Sequence, residues 1–213
     1  MLISLSSLDP IVAARSLLKH PFYVAWSKGE LTLDHLRTYA KEYFHLVRRI
    51  PGIVARVGER VQDRELKNRI EHNMQEEQEH VELWKSFASS LGVSENELMT
   101  HVPSAKTQEA VTTLETLAEH GMEEGIAGMY ALEVELPQIA ATKKDGLCTF
   151  YGLTSQEAHI YFDEHLKEEE HLKVWRQFTL DAERGAKAAR TSAAAQNLLL
   201  DAVCEECGLS MAC

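Results

Sequence analysis

Three segments of this chain carry glutamate and histidine side chains at spacings that suit metal binding. Glu77 and His80 lie three residues apart, which places them side by side on one face of a helix. Glu133 and Glu135 occur in an apolar stretch, where a buried carboxylate is costly unless it is paired or bound to a cation. The third segment, residues 165–171, holds two histidines and three glutamates. Carboxylates and imidazoles that converge from separate helices are the ligands of two-metal sites in helical bundles.

The third segment does not aim all of its candidate ligands in one direction on a regular helix. At about 100° per residue, Glu169 falls about 40° from His165, Glu168 about 60° to the other side, and His171 about 120° away. We therefore expect local widening of the helix, or a bridging water, if both histidines and one glutamate share an ion. An exposed charged face is the alternative for this segment, as it is for the acidic run around Glu77.

The composition and the absence of several motifs exclude some classes of function. With 33 acidic and 22 basic side chains the net charge is −11, which repels phosphate backbones, so a nucleic-acid partner is not expected. No apolar run approaches the roughly 18 residues of a membrane span, and residues 1–4 lack the basic flank of a secretory signal. We predict a soluble cytoplasmic protein. Phosphoryl and acyl transfer are disfavoured, because no Gly-rich phosphate loop and no Gly-x-Ser-x-Gly elbow occurs.

The elements that must position these residues are predicted to be helices. Apolar residues recur at spacings of three and four, and sustained two-residue alternation is absent, so the predicted fold class is all-α. Side chains that cap helix starts occur at four places: Thr32, Ser94, Thr107 and Ser155. Helix ends are expected near Gly29, Gly92, Pro103 and Gly146. Pro51 and Pro137 lie inside apparent helices and should kink them, which leaves room for a cofactor in the bundle.

The chain is expected to form one domain followed by a tail. No Pro/Gly/Ser-rich linker divides the 213 residues, so we predict a helical domain over residues 1–183. Residues 184–213 are predicted to form an alanine-rich, solvated helix and a cysteine-containing tail. Three of the four cysteines fall in the last ten residues, which favours a reducing compartment over a disulfide framework. Cys204 and Cys207 have redox or metal spacing but lack a second pair, so we expect an unstructured or loosely docked tail.

Five short runs follow one another between about residues 15 and 175. They are HPFYVAWSKGELT at 20–32, YAKEY at 39–43, LWKSF at 83–87, Glu133 with PQIA at 137–140, and YFDEH at 161–165. In this order they resemble the family of the Chlamydia protein associating with death domains and its bacterial relatives. The resemblance implies a haem-oxygenase-like bundle of seven to eight helices that holds a dinuclear iron or manganese–iron centre instead of haem. It also implies formation of para-aminobenzoate for folate biosynthesis, with dioxygen as co-substrate and an external reductant.

The resemblance further implies roles for individual residues. Proteins of this family look like self-sacrificing synthases, which make para-aminobenzoate from their own side chains. The tyrosine that supplies the ring of the product matches Tyr23, and the lysine that supplies its amino group matches Lys143. Tyr161 matches a further site tyrosine. The implied metal ligands are Glu77, His80, Glu133, His165 and His171, together with either Glu168 or Glu169. On periodicity alone, Tyr23 would be a half-buried aromatic residue and Lys143 a solvated helix end.

The sequence departs from the family pattern at three places. Glu77 and His80 are closer together here than in the Chlamydia protein, which should preserve both ligands. One residue is missing between His165 and His171, so either glutamate could be the carboxylate ligand. If the relatives carry a one-residue helical bulge there, its loss would alter the angle of His171. Leu132 replaces a tyrosine, so a radical relay through that ring is not expected.

Two other functions stay open on the sequence. The chain could be a dimetal oxidase that acts on a free small molecule, such as a fatty acid or an amino-acid derivative. It could instead be a non-enzymatic protein whose acidic surface binds a helical partner such as a death domain. A homodimer is compatible with each of these functions.

Overall fold

The computed structural model describes residues 1–167 and 169–209. Within these ranges the regular secondary structure is helical apart from one small antiparallel ribbon, so the all-α prediction is confirmed. In the ribbon, β1 (Leu2–Ser4) pairs with β2 (Thr179–Asp181). Glu168, a candidate metal ligand, and Cys213, one of the three cysteines of the predicted tail, lie outside the described residues.

The described part of the chain contains twelve α-helices. They are α1 (Asp9–Ala14), α2 (Pro21–Ser27), α3 (Leu33–Val47), α4 (Ile50–Gly58), α5 (Arg64–Ser90), α6 (Glu95–Thr100), α7 (Ala105–His120), α8 (Met122–Glu133), α9 (Leu136–Thr149), α10 (Gln156–His165), α11 (Glu169–Trp175) and α12 (Ala182–Glu206). The number exceeds the predicted seven to eight because α1 and α6 are short and because three longer helices are interrupted. The interrupted pairs are α3 and α4, α8 and α9, and α10 and α11.

Local capping chemistry sets most of the helix starts. The side chains of Thr32, Ser94 and Ser155 each accept a hydrogen bond from the backbone amide three residues further on, as predicted. Thr107 was wrongly predicted to begin a helix. Ser104 caps α7 instead, because its hydroxyl accepts from the amide of Thr107, which lies inside the first turn.

Two of the three interruptions occur at the predicted prolines. Pro51 and Pro137 lie in the first turns of α4 and α9, where the missing amide costs no helical hydrogen bond. The third interruption separates α10 from α11 and has no proline. As a result, Glu133 is the last residue of α8 and His165 is the last residue of α10. Both candidate ligands therefore lie at helix ends.

The alanine-rich segment is a buried helix. α12 packs mainly against α7 and α8, and Ala189, Leu199, Leu200 and Cys204 are each at most 1 % exposed. An alanine-rich composition is compatible with a solvated helix, but the small side chain of alanine also allows close helix packing. The expectation of a solvated helix and a loosely docked tail is therefore wrong through residue 206. The domain division at residue 183 stays a prediction.

The centre of the bundle is rich in aromatic side chains. Among the described residues, twelve aromatic side chains are at most 8 % exposed, namely Phe22, Tyr23, Trp26, Tyr39, Tyr43, Phe44, Trp84, Phe87, Tyr130, Tyr161, Phe162 and Trp175. Rings of this size contribute much of the apolar area that a bundle buries. No helix among the described residues has both the length and the apolar character needed to cross a bilayer.

Candidate functional site

The long helix α5 turns two of the predicted ligands inward. Glu77 and His80 are 6 % and 8 % exposed, whereas Glu79 between them faces solvent. Oε2 of Glu77 lies 3.4 Å from Nδ1 of His80. The acidic run is therefore not a uniformly solvated face, because its i, i+3 pair is buried.

Five buried side chains form two groups that share Glu77. One group is Glu77, His80 and His165, and the other is Glu77, Glu133 and His171. Within each group, the ligand atoms lie within 4.8 Å of one another. Two carboxylates and three imidazoles, with one carboxylate common to both groups, form a donor set that suits a pair of iron or manganese ions.

Hydrogen bonds orient these ligands. Nδ1 of His165 donates to the carbonyl oxygen of Tyr161 at 2.6 Å, so Nε2 is the nitrogen that is directed away from its own helix. The ring of His165 lies 4.6 Å from the ring of His80 between centroids. A fixed tautomer and a fixed ring plane are what a metal-binding histidine requires.

The structure distinguishes Glu133 from Glu135. Glu133 is 1 % exposed, and its Oε2 accepts a hydrogen bond of 2.6 Å from Nε1 of Trp175. Glu135 is only half-buried and precedes α9. Trp175 was not identified from the sequence, since a tryptophan at helical spacing also fits an ordinary core position.

The segment from residue 165 to residue 171 is not a regular helix. This irregularity was expected, because a regular helix would direct His165 and His171 to different sides. The irregularity is a break between two helices, and it leaves both His165 and His171 buried, at 2 % and 4 % exposed. Glu169 is exposed and belongs to neither group of ligands. The carboxylate that would complete the set stays a sequence prediction, because the alternative, Glu168, lies outside the described residues.

Lys143 is buried against three tyrosines. Its side chain is 3 % exposed, and Nζ lies 4.9 Å from the ring centroids of Tyr23 and Tyr39 and 5.1 Å from that of Tyr43. Nζ also donates a hydrogen bond to the hydroxyl of Tyr39. The expectation of a solvated lysine and a half-buried Tyr23 from periodicity is therefore wrong. We call Lys143 and these three rings the amine pocket.

Burial changes the proton affinities in the amine pocket. Loss of hydration disfavours the charged ammonium, so the pKa of Lys143 lies well below its usual value. The same cause disfavours the phenolates and holds the pKa values of Tyr23 and Tyr39 well above theirs. The pocket therefore favours a neutral amine beside neutral phenols.

Helices α2 and α9 hold the two sides of the amine pocket together. His20 caps α2 by accepting from the amide of Phe22, and its Nε2 lies 3.0 Å from a carboxylate oxygen of Asp201 on α12. Trp26 on α2 donates through Nε1 to the carbonyl of Lys143 at 3.1 Å. Gly146 permits this approach, because a Cβ there would lie 2.6 Å from the Trp26 ring. The predicted helix end at Gly146 is wrong, since α9 continues to Thr149.

A chain of aromatic contacts connects the candidate metal ligands with the amine pocket. The ring of Tyr161 lies 4.2 Å from that of His165 and 4.7 Å from that of Trp84. Trp84 stacks on Tyr43 at 5.2 Å and contacts Tyr39 at 5.6 Å. The spacing of Tyr39 and Tyr43 by one helical turn is visible in the sequence, but core residues commonly share it.

The architecture and the site together define a haem-oxygenase-like helical protein with a candidate dinuclear metal centre. The chain is similar to a solved domain of unknown function with a haem-oxygenase-like fold from Shewanella denitrificans, with a TM-score of 0.79, 19 % identity, and coverage of 97 % of this chain and 94 % of that one. It is also similar to a CADD-like protein of unknown function from Nostoc punctiforme, with a TM-score of 0.66, 17 % identity, and coverage of 95 % and 97 %. The haem-oxygenase-like fold is thereby confirmed.

The chain belongs to the TENA/THI-4/PQQC family, whose model matches residues 6–177. Among curated proteins it is 35 % identical over 166 residues to the 4-aminobenzoate synthase of Chlamydia muridarum. This match covers 76 % of this chain and 70 % of that protein. It is 33 % identical over 171 residues to the 4-aminobenzoate synthase of Nitrosomonas europaea, with coverage of 74 % and 70 %. These findings confirm the family resemblance that the sequence motifs indicated.

Proposed function

We propose that this protein forms 4-aminobenzoate, an alternative name for para-aminobenzoate, in an oxygen-dependent oxidation that uses the ring of Tyr23 and the amino group of Lys143. The observation that carries the proposal is the buried amine of Lys143, which lies 4.9 Å from the centre of the Tyr23 ring. The names of the relatives from Chlamydia muridarum and Nitrosomonas europaea support the identity of the product.

The amine pocket suits the transfer of nitrogen to an aromatic ring. An amine forms a bond to carbon only through its lone pair, which the lowered pKa of Lys143 makes available. The hydrogen bond to Tyr39 directs Nζ within the pocket. Exclusion of water protects an oxidised ring from competing attack.

The candidate metal ligands would hold two iron ions, or one manganese and one iron ion. Such a centre supplies activation of dioxygen when bound, with electrons from an external reductant. Glu77 would contribute to both ions, His80 and His165 would bind one of them, and Glu133 and His171 the other. Glu168 or Glu169 would supply the remaining carboxylate. Trp175 and the Tyr161 carbonyl keep two of these ligands in fixed orientations.

The packing around Lys143 favours a substrate that is part of the chain over a free small molecule. The rings of Tyr23, Tyr39, Tyr43 and Phe162 surround Nζ with centroid distances of 4.9 to 5.5 Å. A free substrate would have to displace part of this packing before it reached the amine. The cytoplasmic location, the homodimer and the helical protein partner stay predictions.

The proposal is tested with protein loaded with iron and manganese, supplied with a reductant and exposed to oxygen. Protein labelled with ring-¹³C tyrosine should release labelled 4-aminobenzoate, at no more than one molecule per chain. Tyr23→Phe should abolish the product, because it removes the phenol that is to be oxidised. Tyr151→Phe is the matched control, since Tyr151 lies outside the amine pocket and donates to the carbonyl of Trp26.

Mass spectrometry of the spent protein supplies the second measurement. We expect altered masses for the peptides that contain Tyr23 and Lys143, and unaltered masses in Tyr23→Phe. Rescue of a 4-aminobenzoate auxotroph by Tyr23→Phe would contradict the self-sacrificing reaction. Unlabelled product in excess of one molecule per chain would instead indicate a free substrate.

A further inference from the structure

His171 presents its two ring nitrogens to two different glutamates. Nε2 lies 2.9 Å from Oε2 of Glu76, and Nδ1 lies 3.6 Å from Oε1 of Glu77. Glu77 is the carboxylate that both candidate metal groups share. The edge of the ring that carries Nδ1 therefore faces the proposed metal centre, and the edge that carries Nε2 faces Glu76.

Glu76 lies beside the candidate ligands. It belongs to neither of the ligand groups that the described residues form. Its side chain is 40 % exposed, and its other oxygen lies 3.6 Å from Nε2 of His72. With Asn73 and Arg69 it lines an open cleft of about 390 Å³. Glu76 thus approaches His171 from the solvent side of the site.

We propose that Glu76 is a positioning residue that selects Nδ1 of His171 as the metal-binding nitrogen. A carboxylate beside Nε2 holds the proton on that nitrogen, which leaves the lone pair of Nδ1 directed toward Glu77. A negative charge at this distance also makes the imidazole a stronger ligand. The inference rests on the dinuclear centre of the proposed function.

The two histidines that flank the helix break are held in different ways. His165 uses Nδ1 to donate to a carbonyl of its own helix, so it presents Nε2. His171 lies on α11, a helix of seven residues, and its partner Glu76 comes from α5. This hydrogen bond joins the short helix to the helix that carries Glu77 and His80. Loss of Glu76 should therefore weaken the group that contains His171 and leave the His80 and His165 group intact.

The inference is tested by anaerobic titration of apo-protein with Mn(II) and with Fe(II), followed by calorimetry and by metal analysis. The unsubstituted protein should bind two ions per chain. In Glu76→Ala one ion should bind as before and the other about 10- to 100-fold more weakly, the usual cost of losing an outer partner of a ligand. Glu76→Gln should lose less affinity for this ion than Glu76→Ala, because the amide oxygen of glutamine can still accept a hydrogen bond from Nε2 of His171. Glu79→Ala, an exposed position on the same helix, should bind both ions like the unsubstituted protein.

A second measurement separates positioning from a merely structural ion pair between helices. The ¹⁵N spectrum of apo-protein should show His171 with its proton on Nε2, both in the unsubstituted protein and in Glu76→Gln. Glu76→Ala should show a mixture of tautomers. An ion pair without a positioning role would change only the thermal stability of the apo-protein.

Three results would overturn the inference: equal metal affinities in Glu76→Ala and Glu79→Ala, an unchanged tautomer in Glu76→Ala, or fewer than two ions bound by the unsubstituted protein. Failure of the proposed function is distinguishable from these. If the protein binds two ions but releases no 4-aminobenzoate, the proposed reaction fails while the role of Glu76 stands.

Discussion

Lys143 holds an amine in a place where a positive charge is unfavourable. The side chain is 3 % exposed and lies among aromatic rings, and its Nζ donates a hydrogen bond to the hydroxyl of Tyr39. Ring faces attract a cation, but this attraction does not replace the hydration that the ammonium loses. The lowered pKa of Lys143 is the result, and it makes stability depend on pH.

We predict that Lys143→Met is stabilising near neutral pH and that this advantage shrinks as the pH rises. Below the unfolded pKa of about 10.4, unfolded chains bind a proton that the folded protein releases once the pH exceeds its lowered pKa. The free energy of unfolding of the unsubstituted protein should therefore rise with pH across this window, by up to about 1.4 kcal/mol per pH unit relative to the variant.

Urea unfolding at several pH values between about 7 and 10 measures this difference. The matched control is Lys144→Met, which removes the neighbouring lysine that pairs with Asp163 on the protein's surface. An identical pH trend for the two variants would show that a buried neutral amine is not present.

At the residue scale, the sequence predicted part of the site. The spacing of Glu77 and His80 and the apolar surroundings of Glu133 marked them as candidate ligands. The motif matches added Tyr23 and Lys143, which periodicity alone assigned to the wrong environments. Trp175 and Glu76 could not be found, because their roles arise from contacts across 42 and 95 residues of chain.

The helices position the site largely through their interruptions. α8 ends at Glu133 and α10 ends at His165, so each ligand lies where one helix stops before the next begins. The proline in the first turn of α9 made the first interruption predictable. The break between α10 and α11 had no such signal. The sequence showed only that a regular helix would not direct His165 and His171 to the same ion.

Because α2 and α9 lie so close together, we expect that adding a single methyl group at Gly146 destabilises the protein. In Gly146→Ala the new Cβ would lie 2.6 Å from the Trp26 ring, so α9 must move away from α2. We expect a loss of about 1–3 kcal/mol in the free energy of unfolding, the usual cost of overpacking. Formation of 4-aminobenzoate should also fall, because Lys143 lies one helical turn from Gly146.

Chemical denaturation and product analysis of the same variant measure both effects. Gly52→Ala is the control, because a Cβ at this helical glycine meets nothing within 4 Å. It should stabilise the protein by up to about 1 kcal/mol, since alanine favours the helix. Equal stabilities for the two variants would mean that the contact between α2 and α9 is not tight.

At the scale of the whole molecule, α12 completes the core. It covers α7 and α8 and carries Asp201, which contacts the cap of α2. Sequence periodicity predicted a helix here, but alanine is compatible with both solvent and close packing. Whether an alanine-rich helix is exposed or buried depends on the helices that pack around it, and a local sequence pattern does not show which helices these are.

We predict that Leu199→Ala destabilises the protein by about 2–5 kcal/mol, because it leaves a cavity at a fully buried position of α12. The measurement is the midpoint of denaturant unfolding. Met99→Ala, at a side chain that is 53 % exposed, should change stability by less than about 0.5 kcal/mol. A comparable effect of the two substitutions would indicate that α12 is not part of the core.

Metal binding should stabilise the whole bundle. A free concentration of metal about 1,000-fold above Kd would add about 4 kcal/mol to the free energy of unfolding. Glu133→Gln should reduce this gain, although it should stabilise the apo-protein, because a buried amide costs less than a buried carboxylate and can still accept from Trp175. Thermal unfolding with and without chelator measures both effects, and equal metal-dependent gains for the two proteins would contradict the assignment of Glu133.

The position of Glu77 in both ligand groups has a consequence for the order in which metals are acquired. The first ion to arrive would fix the shared carboxylate and so change the affinity of the neighbouring site for the second. This coupling is reciprocal, as thermodynamic linkage requires. The mixture of iron and manganese in the protein would then depend on the supply of both metals in the cell, and not on the intrinsic preference of either site alone.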